Sequence, residues 1–163
     1  MDIIEPVDQQ ELLSHFVKDR KYVYQATISH PFGYRVALAA DEFGRLLINS
    51  CPSFTPSPEL PDYPTVREAT AEIVAWPEFL EMEPRHCYRG LSGTTVREYL
   101  GQLRRGEPLG GACAIRDKDR EMPGKGIFYV VDGMHRLVAY CLFTNPERAI
   151  VPIPVFLCSG RSL

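Results

Sequence analysis

The chain has 163 residues, of which 45% are hydrophobic and 24% charged, and a formal charge of −3 at pH 7. That is enough for one domain with a real core, and too acidic for a broad electrostatic grip on nucleic acid. No apolar run approaches the ~18 residues of a membrane span. The acidic start MDIIEPVDQQE is unlike a signal peptide, and five cysteines without a C-x-x-C pair suggest reduced thiols in a cytoplasm, not disulfides or zinc.

Asp8-Gln9-Gln10-Glu11 has the form of a capping box, with Val7 and Leu12 placed as a hydrophobic staple. The stripe Leu12, Leu13, Phe16, Val17 predicts a helix over residues 9–18. Tyr22–Ser29 is rich in β-prone residues and predicts a strand. Tyr34–Ala40 and Leu46–Ser50 flank Asp41-Glu42-Phe43-Gly44-Arg45, and this pattern predicts an antiparallel hairpin. Residues 51–64 hold five prolines and predict an extended connector.

Thr65-Val66-Arg67-Glu68 is a second capping box, and Val66, Ala69, Ile73 and Trp76 share one helical face up to Pro77. On this pattern Trp76 is expected to anchor the core. The tetrad recurs as Thr95-Val96-Arg97-Glu98, which predicts a cap at Thr95 and a helix with the stripe Val96, Tyr99, Leu100 and Leu103. The preceding residues, Tyr88 to Thr94, are rich in glycine and hydroxyls and include Arg89, a composition suited to cradling a phosphate. Ala112–Ile115 reads as a short strand. The charged run RDKDRE at 116–121 reads as a solvated hairpin tip.

Ile127–Val131 is an unbroken, β-branched and aromatic run, expected to be a strand buried on both faces. Asp132-Gly133 forms the corner, and Met134-His135-Arg136 opens an apolar helix that ends before Asn145-Pro146. Asp132, His135 and Arg136 therefore collect at a helix mouth whose first N–H groups have no partner within the helix. Positive charge there is unfavourable by roughly 0.3–1 kcal/mol unless an anion receives it, so the corner is a candidate anion site. Ala149–Leu157 is expected to form a last strand, with Pro152 and Pro154 leaving one side unpaired.

VVDGMHRLVAY resembles the signature of the ParB/sulfiredoxin-like domains, in which a strand ends at a DG-x-HR or G-x-HR corner and a helix begins at the His-Arg. The resemblance covers about Arg89 to Leu157. It implies an α+β fold: a small mixed sheet with helices over residues 65–163. Residues 1–64 would be an N-terminal elaboration of one helix plus an antiparallel hairpin, with the proline-rich connector.

The resemblance further implies an ATP- or ADP-type nucleotide held with Mg²⁺. Gly133, Met134, His135 and Arg136 would bind its phosphates, with Arg89, Thr94, Thr95 and Arg97 as further contacts. Asp132 and His135 would be the catalytic pair, Asp132 also reaching the Mg²⁺ or its water. Met134 stands where sulfiredoxins carry their reactive cysteine, which argues against sulfinic-acid repair. About twenty residues follow the signature helix, too few for the helix-turn-helix of the partition proteins. Free-serine kinases are nearest in type, so the expected activity is phosphoryl transfer to a small hydroxyl-bearing substrate. The alternatives are a non-catalytic nucleotide-binding regulator and a ParB-like nuclease or DNA-associated factor.

Overall fold

A computed structural model describes residues 1–16, 20–38, 40–48, 64–82, 87–88, 90–116, 128–144 and 155–163. It is an α+β protein built on one six-stranded mixed sheet. The strands are β1 (Asp2–Val7), β2 (Phe32–Ala37), β3 (Leu47–Ile48), β6 (Ala112–Arg116), β7 (Phe128–Asp132) and β8 (Val155–Ser159). Their order is β1-β2-β8-β6-β7-β3. Strands β6 and β8 run parallel, as do β3 and β7; the other neighbours are antiparallel. A separate two-stranded ribbon joins β4 (Cys87–Tyr88) to β5 (Leu91–Ser92).

Successive side chains of a strand point to opposite faces, and here both faces are covered. Ala112, Ala114, Val130, Val155 and Leu157 face helices α4 (Val66–Ala75), α5 (Gly93–Arg104) and α6 (Met134–Phe143). Cys113, Ile115, Tyr129, Phe156 and Cys158 face α1 (Gln9–Ser14) and α2 (Arg20–Ser29). A last short helix, α3, spans Ala40–Gly44. The expectation that the 127–131 run is covered on both sides holds for its described part. No helix among the described residues is long and apolar enough to cross a membrane.

Local signals are obeyed closely. Asp8 accepts a hydrogen bond from the Glu11 amide at 2.8 Å and caps α1. Thr65 and Glu68 complete both halves of their box. Val66, Ala69 and Ile73 bury the stripe of α4.

Several expectations are overturned. Tyr22–Ser29 is helical, not a strand. Val23 and Ala26 are fully buried and Thr27 nearly so, a helical spacing, and packing on the sheet outweighs β propensity. The N-terminal hairpin does not form. Strand β2 pairs with β1 and β8, β3 pairs with β7, and the intended turn lies in α3. One sheet thus takes strands from both sides of the 64/65 division. Strand β1 had no counterpart in the expected elements.

Strand β8 begins after Pro154 and lies between β2 and β6, paired on both sides. The two prolines fall outside the described residues, as does the connector at 51–63. Trp76 is 41% exposed, and Phe79, in the 3₁₀ turn Pro77–Glu81, is the buried anchor.

Candidate functional site

Strand β7 delivers Asp132 to the rim of the sheet, and the chain turns through Gly133 into α6. Gly133 has φ +89°, and a Cβ there would sit 2.8 Å from the Cα and Cβ of Ala112. Glycine is thus required both by the left-handed backbone and by the close approach of β6. It offers α6 no side-chain cap. The first helical bond runs from the Leu137 amide to the Gly133 carbonyl at 3.0 Å.

The Arg136 Nη2 donates to Asp132 Oδ2 at 2.7 Å, and both side chains are mostly buried, at 17% and 12% exposure. The guanidinium lies in a slot beside two glycines: a Cβ on Gly110 would meet Arg136 Nη1 at 2.8 Å, and one on Gly133 would meet Nη2 at 3.1 Å. Arg136 Nε is buried without a hydrogen-bond partner. The pair therefore braces the corner from the β6 side.

His135 turns the other way. The backbone amide of Ser92 donates to His135 Nε2 at 2.9 Å. A backbone N–H only donates, so Nε2 must be unprotonated and the neutral ring carries its proton on Nδ1. Ser92 is also the N-cap of α5. Its Oγ accepts from the Thr95 amide at 3.4 Å and lies 3.1 Å from Thr94 Oγ1. The cap thus falls at Ser92, three residues before the expected Thr95. The backbone explains the early start: a Cβ on Gly93 would fall 1.8 Å from the Phe79 carbonyl oxygen. This residue must be glycine, and the helix can begin there.

The Ser92–His135 bond brings the N-termini of α5 and α6 together. Each carries a partial positive charge of about +0.5. Among the described residues Asp132 and Arg136 cancel and the ring is neutral, so these residues leave the junction the positive field of two helix ends. Beside it lies a cleft of about 210 Å³, lined by Tyr22 of α2 and by residues 130–135.

Of the residues expected at the site, Asp132, Gly133, Met134 and His135 line this cleft. Thr94 and Thr95 join through Ser92. Arg136 is engaged behind the corner. Arg97 pairs with Glu81 of the 3₁₀ turn, an exposed pair. Arg89 lies outside the described residues. Ser92 falls within the Tyr88–Thr94 stretch expected to cradle a phosphate but was not singled out, and Tyr22 was not anticipated. A serine three residues before Thr95 has the spacing of a cap, whereas Tyr22 was hidden by reading its segment as a strand.

Cys113 stands opposite Asp132 across β6 and β7. Its thiol is held well above the usual range by the hydrogen bond to Cys158, by burial and by the Asp132 carboxylate, and the two sulfurs are 4.0 Å apart. It is thus no nucleophile for the corner. Among the described residues no group of three or more His, Cys, Asp or Glu side chains is arranged to hold a metal ion. Comparison of the chain with family models, with curated proteins and with solved structures returned no match.

Proposed function

We propose that the β7–α6 corner binds the phosphates of an ATP- or ADP-type nucleotide, and that the protein transfers a phosphoryl group to a small hydroxyl-bearing substrate. The observation that carries this reading is the convergence of two helix N-termini through the Ser92–His135 bond, beside an uncapped α6 and an internally neutralised Asp132–Arg136 pair. Such a junction favours an anion. The resemblance of VVDGMHRLVAY to the ParB/sulfiredoxin-like signature supports the nucleotide as that anion.

The residues fit a metal that arrives with its ligand. Mg²⁺ commonly takes one or two carboxylates together with substrate phosphates, and Asp132 is the carboxylate in the cleft. When bound, the ion would neutralise phosphate charge. The chain's own contribution is positional. The α6 amides and the Thr94 and Thr95 segment orient phosphate oxygens, Arg136 fixes the direction of Asp132, and Asp132 receives or orients the acceptor hydroxyl. Tyr22 also lines the cleft, and the acceptor would lie against it.

One observation favours a second reading, nucleotide binding without turnover. Asp132 Oδ2 is already committed to Arg136, which weakens the carboxylate as a base. The experiment combines calorimetry with ATP–Mg²⁺ and a ³¹P assay of transfer to serine and other small alcohols. Transfer that falls about 100-fold in Asp132→Asn supports the enzyme. Binding without transfer supports the regulator, and neither binding nor transfer overturns both.

A further inference from the structure

We infer that His135 is a positioning residue, a clamp between two phosphate-facing segments, and that its partner Ser92 belongs to the site. The inference rests on the phosphate-binding reading for its purpose, but on the Ser92–His135 hydrogen bond for its geometry.

A histidine at the mouth of a helix beside an aspartate invites assignment as a general base. Here the lone pair that a base would use through Nε2 receives the Ser92 amide at 2.9 Å. Protonating Nε2 would set two donors against each other and break the contact. The ring therefore exchanges no proton through Nε2 while the two helix ends stay joined.

What the bond does accomplish is alignment. Ser92 begins α5, and its hydroxyl reaches both the Thr94 hydroxyl and the Thr95 amide. The three residues after Ser92 open the first turn of α5, where N–H groups lack intrahelical partners. Holding Ser92 against the second residue of α6 sets the α5 end and the α6 end at one distance and orientation. An oxyanion can then be met from both helices without an ordering cost at the moment of binding.

Glutamine and asparagine separate the two roles. The terminal amide of Gln extends to about the reach of imidazole Nε2, whereas that of Asn reaches only as far as Nδ1. His135→Gln keeps an acceptor for the Ser92 amide but has no titratable group. His135→Ala and His135→Asn lose the acceptor. The probes are ATP–Mg²⁺ affinity by calorimetry, hydrogen exchange at the Ser92 amide, and ¹⁵N imidazole resonances of the wild-type protein.

For a clamp, the wild-type ring shows an unprotonated Nε2. His135→Gln retains Ser92 protection and affinity, while His135→Ala and His135→Asn lose about tenfold in each, the worth of one hydrogen bond. The inference is overturned if Nε2 carries the proton, if Ser92 exchange is the same in wild type and His135→Ala, or if His135→Gln loses as much as His135→Ala. The ring resonances need no variant, so a substitution that unfolds the protein leaves the test intact. A wild-type protein that binds no phosphate compound removes the ligand reading alone, because the exchange and ring data still judge the clamp.

Discussion

At Gly133 two constraints fall on one residue, a left-handed backbone at φ +89° and the backbone of Ala112 where a side chain would go. The first alone costs an alanine about 1–2 kcal/mol, and the second forces β6 and the corner apart. Gly133→Ala is expected to lower unfolding free energy by roughly 2–4 kcal/mol. A shift of the urea midpoint at unchanged slope would register this. An unshifted midpoint would mean the corner is looser than its contacts imply. The Asp-Gly pair was legible in the sequence because a buried strand pattern precedes it and a helical one follows at once. The Arg136–Asp132 pair was only half legible: acid and base were seen at one corner, but both were expected to meet the ligand and not each other. The Ser92–His135 bond was not legible. Its partners are 43 residues apart and its donor is a main-chain amide, which no side-chain pattern encodes.

Among the elements, α4 shows how far a local signal carries. The Thr65 hydroxyl accepts from the Glu68 amide at 3.1 Å, and the Glu68 carboxylate accepts from the Thr65 amide at 2.8 Å. Thr65→Ala is expected to cost about 1 kcal/mol. The double variant with Glu68→Ala should cost less than the sum of the two, because each change already breaks the reciprocal pair. Thermal or urea unfolding of the three variants gives the comparison, and strict additivity would show that the two bonds act independently. Helix α2 is the counter-example. Tyr22, Val23, Tyr24, Thr27 and Ile28 favour strands by composition, and the helix exists because Val23 and Ala26 meet the sheet face that carries Phe156 and Cys158. Strand pairing was least legible. Leu47 and Ile48 look like the return arm of a hairpin, and only the assembled sheet shows their parallel pairing with β7.

For the whole molecule, the layers packed on the two-sided sheet shelter the thiols of Cys113 and Cys141. Burial pushes Cys141 up to about 11, and Cys113 is raised by Cys158 and by its own burial. At pH 8 the Cys141 thiol is ionised in only about one molecule in a thousand. Iodoacetamide is therefore expected to modify Cys113 and Cys141 slowly in the native protein and rapidly in urea. Mass mapping of the alkylated sites at both conditions is the check. Fast native labelling would show that the layers over the sheet open readily.

The position of β8 has a consequence for how the chain is assembled. Residues 155–159 separate the β1–β2 pair from the β6–β7–β3 group, touching one with each edge. During synthesis these two groups have no common seam until the segment after Pro154 has left the ribosome. A nascent chain halted at residue 154 would carry two half-sheets with open edges, exposed to mispairing with neighbouring copies. Residues 155–159 are the keystone, so the cleft takes its final shape only once they are in place.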